Sequence, residues 1–302
     1  MIGTLIASLA GVVNAFYLAP LTRDARQNQR LWLVFALFAF LLIPGMLFFS
    51  IFIKTGFLFS ASACLMMVLS GLSYGLGMVL LMQSVSYIGM GIPYVLSLVL
   101  ATISGSLTAT ILFHDINQVS SLTWLGYGLF IIAAVLVSLS LVLREGLQSS
   151  NLKYLGLCIL GSILLASQGA TLSYFSNEVK LQHLPVDQQL IPWVLIYIFA
   201  SIVVLGYYFK QTKSPLFSHS TLLPGLAMVV FYWVSIGLYN VSNDYGALLS
   251  EKYNWVVFMI FMMLMGNILS YAKKEWKGAS RYCHVFNILA LALGVISSVM
   301  IG

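Results

Sequence analysis

A chain of 302 residues that is 61% hydrophobic and only 7% charged does not belong to the soluble globular class. Ordinary soluble domains carry roughly 25% charged residues, and a soluble fold exposes too much surface to hide this much apolar material. The formal net charge of +6 sits in short connections. It is therefore read as a topology signal and not as a nucleic-acid surface.

A membrane-crossing helix needs about 20 apolar residues. Ten segments qualify, at about 3–21, 31–53, 61–84, 91–113, 122–143, 154–176, 191–209, 222–244, 253–272 and 282–301. The connections after segments 1, 5, 7 and 9 carry Arg23, Arg26, Arg30, Arg144, Lys153, Lys210, Lys213, Lys273, Lys274, Lys277 and Arg281. The even-numbered connections hold only Lys54, Lys180 and Lys252. Positive residues concentrate on the cytoplasmic side, so both termini are expected on the outer, periplasmic side of a bacterial inner membrane. Five spans per half is an odd number. Halves 1–150 and 151–302 would then be inverted repeats, joined at the basic stretch 144–153.

Segment 1 is followed, not preceded, by its arginines. That is the wrong order for a cleaved signal, so it is kept as a span. It carries Asn14 and Tyr17 one turn apart, a pair that either bonds to a neighbouring helix or touches a solute. Segment 2 is rich in Phe and Leu and reads as a lipid-facing support, kinked at Pro44. Segment 3 contains GLSYG at 71–75. Gly71 and Gly75 admit a close neighbour, and Tyr74, near the midplane, reads as a pocket wall. In YIGMGIP (87–93), Gly89 and Gly91 permit the turn and Pro93 suits the first turn of segment 4. Segment 4 aligns Ser97, Ala101, Ser104 and Thr108 in one stripe, fit for close packing or for a hydrophilic path, and ends at His114 and Asp115, which read as solvated. Segment 5, from Trp124, is otherwise aliphatic and reads as a peripheral element or a homodimer contact.

Segment 6 has Gln168 and Thr171 one turn apart, near Ser167 and Tyr174. In a five-plus-five plan it is the counterpart of segment 1, and the polar turns match. Glu178, Lys180, His183 and Asp187 in the next loop read as solvated. Segment 7 shows only Pro192, Trp193 and Tyr197 and carries no functional expectation. Segment 8 stands apart, with FYWVSIGLYNVSNDY at 231–245. Tyr232, Ser235, Tyr239 and Ser242 share one helical face, with Trp233 and Asn240 beside it. Polar groups in hydrocarbon face protein or a watery cavity, so this face is expected to line a solute path. Asp244, at its outer end, is the candidate for proton coupling, ahead of Glu178 and Glu251. Segment 9 holds Asn267 and is followed by KKEWKGASR (273–281). Segment 10, with Asn287, pairs with segment 5.

Cys64, Cys158 and Cys283 have no Cys or His partner at metal spacing and read as packing residues. His114, His183, His219 and His284 fall at helix ends or loops. There is no GxxxxGK[ST] and no HExxH, and no carboxylate pair lies within a span, so no ATP motor, enzyme activity, metal or cofactor is expected.

Three stretches, FYLAPLTR (16–23), the run from Ser73 to Leu107, and KKEWKGASR, resemble the bacterial L-rhamnose–proton symporter family of the drug/metabolite transporter superfamily. The resemblance implies ten helices in two inverted halves around a central cavity built mainly by helices 1, 3, 4, 6, 8 and 9. It also implies proton-coupled uptake. The expected pocket is Asn14, Tyr17, Tyr74, Gln168, Thr171, Tyr232, Trp233, Ser235, Tyr239 and Asn267. Tyrosine and tryptophan faces suit sugar rings, and amides and hydroxyls suit sugar hydroxyls. The expected partners are a small hydrophilic solute, a proton or other ion, and the bilayer. An exporter of amino acids or amphipathic compounds is the alternative. A sensor without flux is a third reading, weakened because no soluble domain is present to pass on a signal.

Overall fold

The computed structural model describes residues 2–22, 24–113, 120–145, 149–177, 188, 190–211, 219–244 and 251–301. Among these, the chain is 90% helix with no strand. Its helices are α1 (Ile2–Phe16), α2, α3 (Ala61–Ile88), α4 (Gly91–Phe113), α5 (Ser121–Glu145), α6 (Ser149–Asn177), α7 (Ile191–Gln211), α8 (His219–Asp244), α9 (Glu251–Ala272) and α10 (Arg281–Ile301). The second of these, α2, is composite. It runs Ala25–Phe35, then a π-helical stretch Ala36–Leu42, then Ile43–Thr55. Each of the ten apolar segments has become one helical rod.

Among the described residues, seven rods, α2, α3, α5, α6, α7, α8 and α10, are long and apolar enough to cross a membrane. The apolar stretches Ile2–Phe16, Gly91–Ser104 and Val256–Ala272 are shorter. The outside of the bundle carries many large apolar side chains. Met46 and Ile53 are 66% and 68% exposed, and Leu65, Ile131, Val230 and Ile288 are exposed as well. A soluble monomer does not present such a continuous apolar surface.

The interleaving of the helices decides what reaches the centre. α1 packs on α8 and α9, and α6 packs on α3 and α4. α2 meets α8, and α7 meets α3. α4 touches α5, and α9 touches α10. Across the middle, α5 packs on α10, α2 on α7 and α4 on α9. Replacing every helix by the one five places along turns this set of neighbours into itself. α1 is thus seated against α8 and α9, and α6 against α3 and α4.

Small residues set the closest approaches. A Cβ on Gly71 would meet the Ile196 carbonyl at 2.6 Å, and one on Gly75 the Ala200 carbonyl at 2.6 Å. The GLSYG face is therefore the seat of α7. On the neighbouring face of α3, Gly77 and Gly161 of α6 oppose each other, each blocking a Cβ on the other at 2.7 and 2.9 Å. Cys158 and Cys283 are buried and unpaired by disulfide, as packing residues are.

Two expectations are corrected. Segment 1 stops being helical at Phe16. Tyr17 lies in a run of tight turns, its N–H donating to the Asn14 carbonyl at 3.1 Å. Segment 2 is only half a lipid-facing support. Leu31, Trp32, Leu33, Val34, Phe35, Ala36, Ala39 and Phe40 are all buried, and only the far half, around Met46–Ile53, is exposed. The disturbance at Pro44 is a π stretch just before it. Proline at 44 has no N–H for the Phe40 carbonyl, and its ring crowds that carbonyl. The wider winding, with Ile43 N–H donating to Phe38, accommodates both.

Candidate functional site

The centre of the bundle is a cluster of eight aromatic rings from five helices or their ends. Tyr17 follows α1; Trp32, Phe35 and Phe40 lie on α2, Tyr74 on α3, Tyr197 on α7, and Tyr232 and Trp233 on α8. The π stretch brings the Phe40 ring parallel to Tyr197, with centroids 5.2 Å apart and planes at 5°. Tyr197 also meets Tyr74 and Tyr232 at 6.0 Å each and Trp233 at 6.1 Å. Tyr17 stacks on Phe35 at 5.7 Å and stands edge-on to Tyr232 at 5.6 Å. Trp32 sits against Phe35 at 5.3 Å.

Hydrogen bonds tie these rings to the helices carrying them. Asn14 Nδ2 donates to Ser235 Oγ at 2.7 Å, and Ser235 Oγ donates to the Tyr232 carbonyl at 2.6 Å. The Tyr232 hydroxyl donates to the Tyr197 hydroxyl at 2.7 Å. Gln168 of α6 lies beside the Tyr197 hydroxyl, and Tyr74 beside that of Tyr232. These contacts join α1, α8 and α7 through buried polar groups. Charged side chains take no part in them.

Of the expected pocket, the structure brings together Asn14, Tyr17, Tyr74, Tyr232, Trp233 and Ser235, with Gln168 at the edge. Thr171 is buried on the same face of α6 as Gln168. Tyr239 lies two turns further along α8 and packs on Phe258 of α9 at 5.3 Å. Asn267 is buried on α9, one turn from Ser270, and its neighbour Gly266 is overlaid by the Tyr94 ring. Tyr239 and Asn267 therefore face the interior at other depths. Ser242 is fully buried, and Asn240 points outward. Arg23, His114, Asp115, Lys180, His183, Asp187, Lys213 and Glu178 lie outside the described residues. So do the side chains of Thr108, Tyr174, His219, Asn243, Asp244, Glu251 and Lys252.

Sequence reasoning missed Trp32, Phe35, Phe40 and Tyr197. A hint was present for Tyr197, because a tyrosine hydroxyl inside an apolar run needs a partner. Another was Pro44, whose backbone demand produces the π stretch.

A second polar assembly closes the end of the bundle that carries the basic loops. Here KKEWKGASR folds back in tight turns, with Lys274 and Gly278 at φ 59° and 83°. The Glu275 carboxylate accepts from the Met90 N–H at 3.0 Å and the Gly91 N–H at 2.9 Å, capping the start of α4. Trp276 Nε1 donates to Ser270 Oγ at 2.8 Å. Arg144 donates to the Ile88 carbonyl and lies 5.1 Å over the Trp276 ring. Lys273 donates to the Leu21 carbonyl. Partial burial lowers the Lys273 ammonium from its ordinary pKa, and Glu275 works in the opposite direction. His284, expected to be solvated, shares a hydrogen bond with the Tyr271 hydroxyl at 2.8 Å. A separate open cleft at the same end is lined by Asp24, Arg26, Gln27, Arg30, Ser220 and Thr221.

Among the described residues no three His, Cys, Asp or Glu side chains gather around a metal-sized gap. The comparisons with protein families and with curated proteins give no match to this chain.

Proposed function

We propose that this chain is a secondary active transporter of a small, uncharged, hydrophilic metabolite, with a sugar or sugar derivative first, and that uptake is coupled to protons. One observation carries the reading. A cluster of aromatic rings, hydroxyls and amides without any charge lies buried where helices of the two halves meet. Aromatic faces stack on the C–H faces of sugars, and amides and hydroxyls exchange hydrogen bonds with their hydroxyls.

The architecture proposed is ten spans in two inverted halves, 1–150 and 151–302, with both termini periplasmic in a bacterial inner membrane. The exchange symmetry of helix neighbours supports it, as does the placement of the cluster between halves, where inverted-repeat transporters hold their solutes. Rocking of the halves would open the cluster to each side in turn. The three stretches that resemble the rhamnose–proton symporters point to the same class. Asp244 is proposed as the group that takes up the proton from outside.

The test is a thermal-shift screen of purified protein against sugars, amino acids and nucleosides, since a ligand of the folded state raises its apparent stability. Flux of the compound that binds is then measured in proteoliposomes with and without a pH gradient. A sugar that binds and accumulates down the proton gradient supports the reading, and Asp244→Asn is expected to abolish the pH dependence. An amino acid that binds and leaves the vesicles would establish the exporter instead. Binding without flux in any condition would make the chain a sensor.

A further inference from the structure

The polar groups of the central cluster divide into those that have partners and those that do not, and the second set has one character. The Ser235 hydroxyl accepts from Asn14, the Tyr197 hydroxyl accepts from Tyr232, and the Tyr232 carbonyl accepts from Ser235. The indole N–H groups of Trp32 and Trp233 are both buried and both lack a hydrogen-bond partner. Gln168 Nε2, beside Tyr197, also lacks a well-aligned acceptor. Trp32 is 2% exposed, so solvent does not serve its N–H.

An indole nitrogen can only donate, so its role here involves no choice of tautomer or flip. A buried N–H without an acceptor is expensive in an apolar interior, and native proteins rarely leave one. This chain provides the acceptor elsewhere: the buried Trp276 N–H is served by Ser270. At the cluster, two such donors stand within one group of touching rings, Trp32 against Tyr17 and Phe35, and Trp233 against Tyr197 and Tyr232.

We infer that the cluster takes an uncharged, oxygen-rich solute whose contacting oxygens act as hydrogen-bond acceptors for the indole N–H groups of Trp32 and Trp233. This rests on reading the cluster as a solute site. An organic cation can lie against the ring faces, but it brings no acceptor for the two N–H groups and meets no carboxylate among the described residues. A carboxylate brings acceptors, but among the described residues no Lys, Arg or His side chain contacts the rings to balance it. A ring oxygen and a hydroxyl of a neutral sugar meet both requirements, and the sugar's C–H face lies on the tyrosines.

The experiment uses the intact protein in detergent and calorimetric or thermal-shift titration. The probes are L-rhamnose, D-xylose and D-glucose, each with its monodeoxy and monodeoxyfluoro analogues, with tetramethylammonium and L-leucine as contrasting charges. Fluorine keeps lone pairs but cannot donate, so it separates the two hydrogen-bond roles without altering the protein. For the sugar that binds, at least one deoxy analogue is expected to weaken binding about fivefold to tenfold, while the matching fluoro analogue stays within about threefold. Trp32→Phe and Trp233→Phe are each expected to weaken the parent sugar about fivefold to tenfold, and one of them to erase the penalty of the deoxy analogue.

Equal loss for the fluoro and deoxy analogues at every position overturns the donor rule while leaving the solute site standing. So does tighter binding of tetramethylammonium or leucine than of any sugar. Binding by none of the probes, with the thermal transition intact, overturns the reading of the cluster as a site for these solutes.

Discussion

Two regions of this molecule bury a tryptophan, Trp276 in one and Trp32 in the other, and they treat its N–H in opposite ways. In the connector 273–281, Glu275 uses its carboxylate on two backbone N–H groups and the Trp276 N–H finds Ser270. Lys273 reaches the Leu21 carbonyl. In the central cluster Asn14, Ser235 and the Tyr232 hydroxyl each find an acceptor, but the Trp32 and Trp233 N–H groups are left over. Partnered polar groups hold helices in one arrangement. Leftover donors cost stability in the empty state and are recovered when a ligand supplies acceptors. On the proposed function, the connector is a structural fastener and the cluster is the place where the solute is received.

Replacement is expected to separate the two regions, beginning with the largest effect. Trp276→Ala removes a large buried side chain and the support under Arg144, and is expected to cost about 3–5 kcal/mol. Thermal unfolding in detergent reads this, and the stabilisation by a bound solute should survive in whatever protein still folds. A loss of under 1 kcal/mol would show that the connector fastens little. Glu275→Gln keeps the shape but removes the charge from two hydrogen bonds at a helix start, which predicts a loss of about 1.5–3 kcal/mol. Hydrogen exchange should rise at Met90 and Gly91 and stay unchanged around Tyr232. Exchange rising in both places would merge the two regions into one cooperative unit.

Within the cluster, Tyr197→Phe keeps the stacking on Phe40 but strips the acceptor from the Tyr232 hydroxyl. A stability loss of about 1–2 kcal/mol is expected, together with a change in solute affinity measured on the same protein. A change in stability alone would move Tyr197 to the structural side of the comparison. Asn14→Ala breaks one interhelical bond between α1 and α8. Such bonds in membrane bundles are worth about 0.5–2 kcal/mol, so this is the mildest of the four.

Much of this was legible in the residues, for a reason tied to each case. The inward face of α8 was visible because Tyr232, Ser235 and Ser242 recur at helical spacing inside an apolar run, and Ser235 and Ser242 are fully buried. A close helix approach on α3 was visible in Gly71 and Gly75, because only small residues let backbones come this near, but that the neighbour is α7 was not. The buried half of α2 was not legible. Its Phe and Leu residues are equally suited to lipid and to protein, and no hydropathy pattern tells the two apart. Tyr197 was equally silent, since its partners Phe40, Tyr74 and Tyr232 lie far away in sequence. Tyr239 packs on Phe258 and Asn267 is buried, but their depth along the bundle depends on where α8 and α9 rest against each other. KKEWKGASR was read for its positive charge, whereas its glutamate and tryptophan make the fastening.

By itself, then, the sequence determined the all-helical class, the position of each apolar rod and the polar face of α8. Hydrocarbon thickness, the need to satisfy every backbone group and the 3.6-residue period all act locally along the chain. Only the tertiary structure decided which rings meet at the centre, how the π stretch turns Phe40 onto Tyr197, and which polar atoms find partners. Those outcomes depend on contacts between helices distant in sequence, and the protein interior differs from lipid not in polarity but in which atoms it brings within hydrogen-bonding distance.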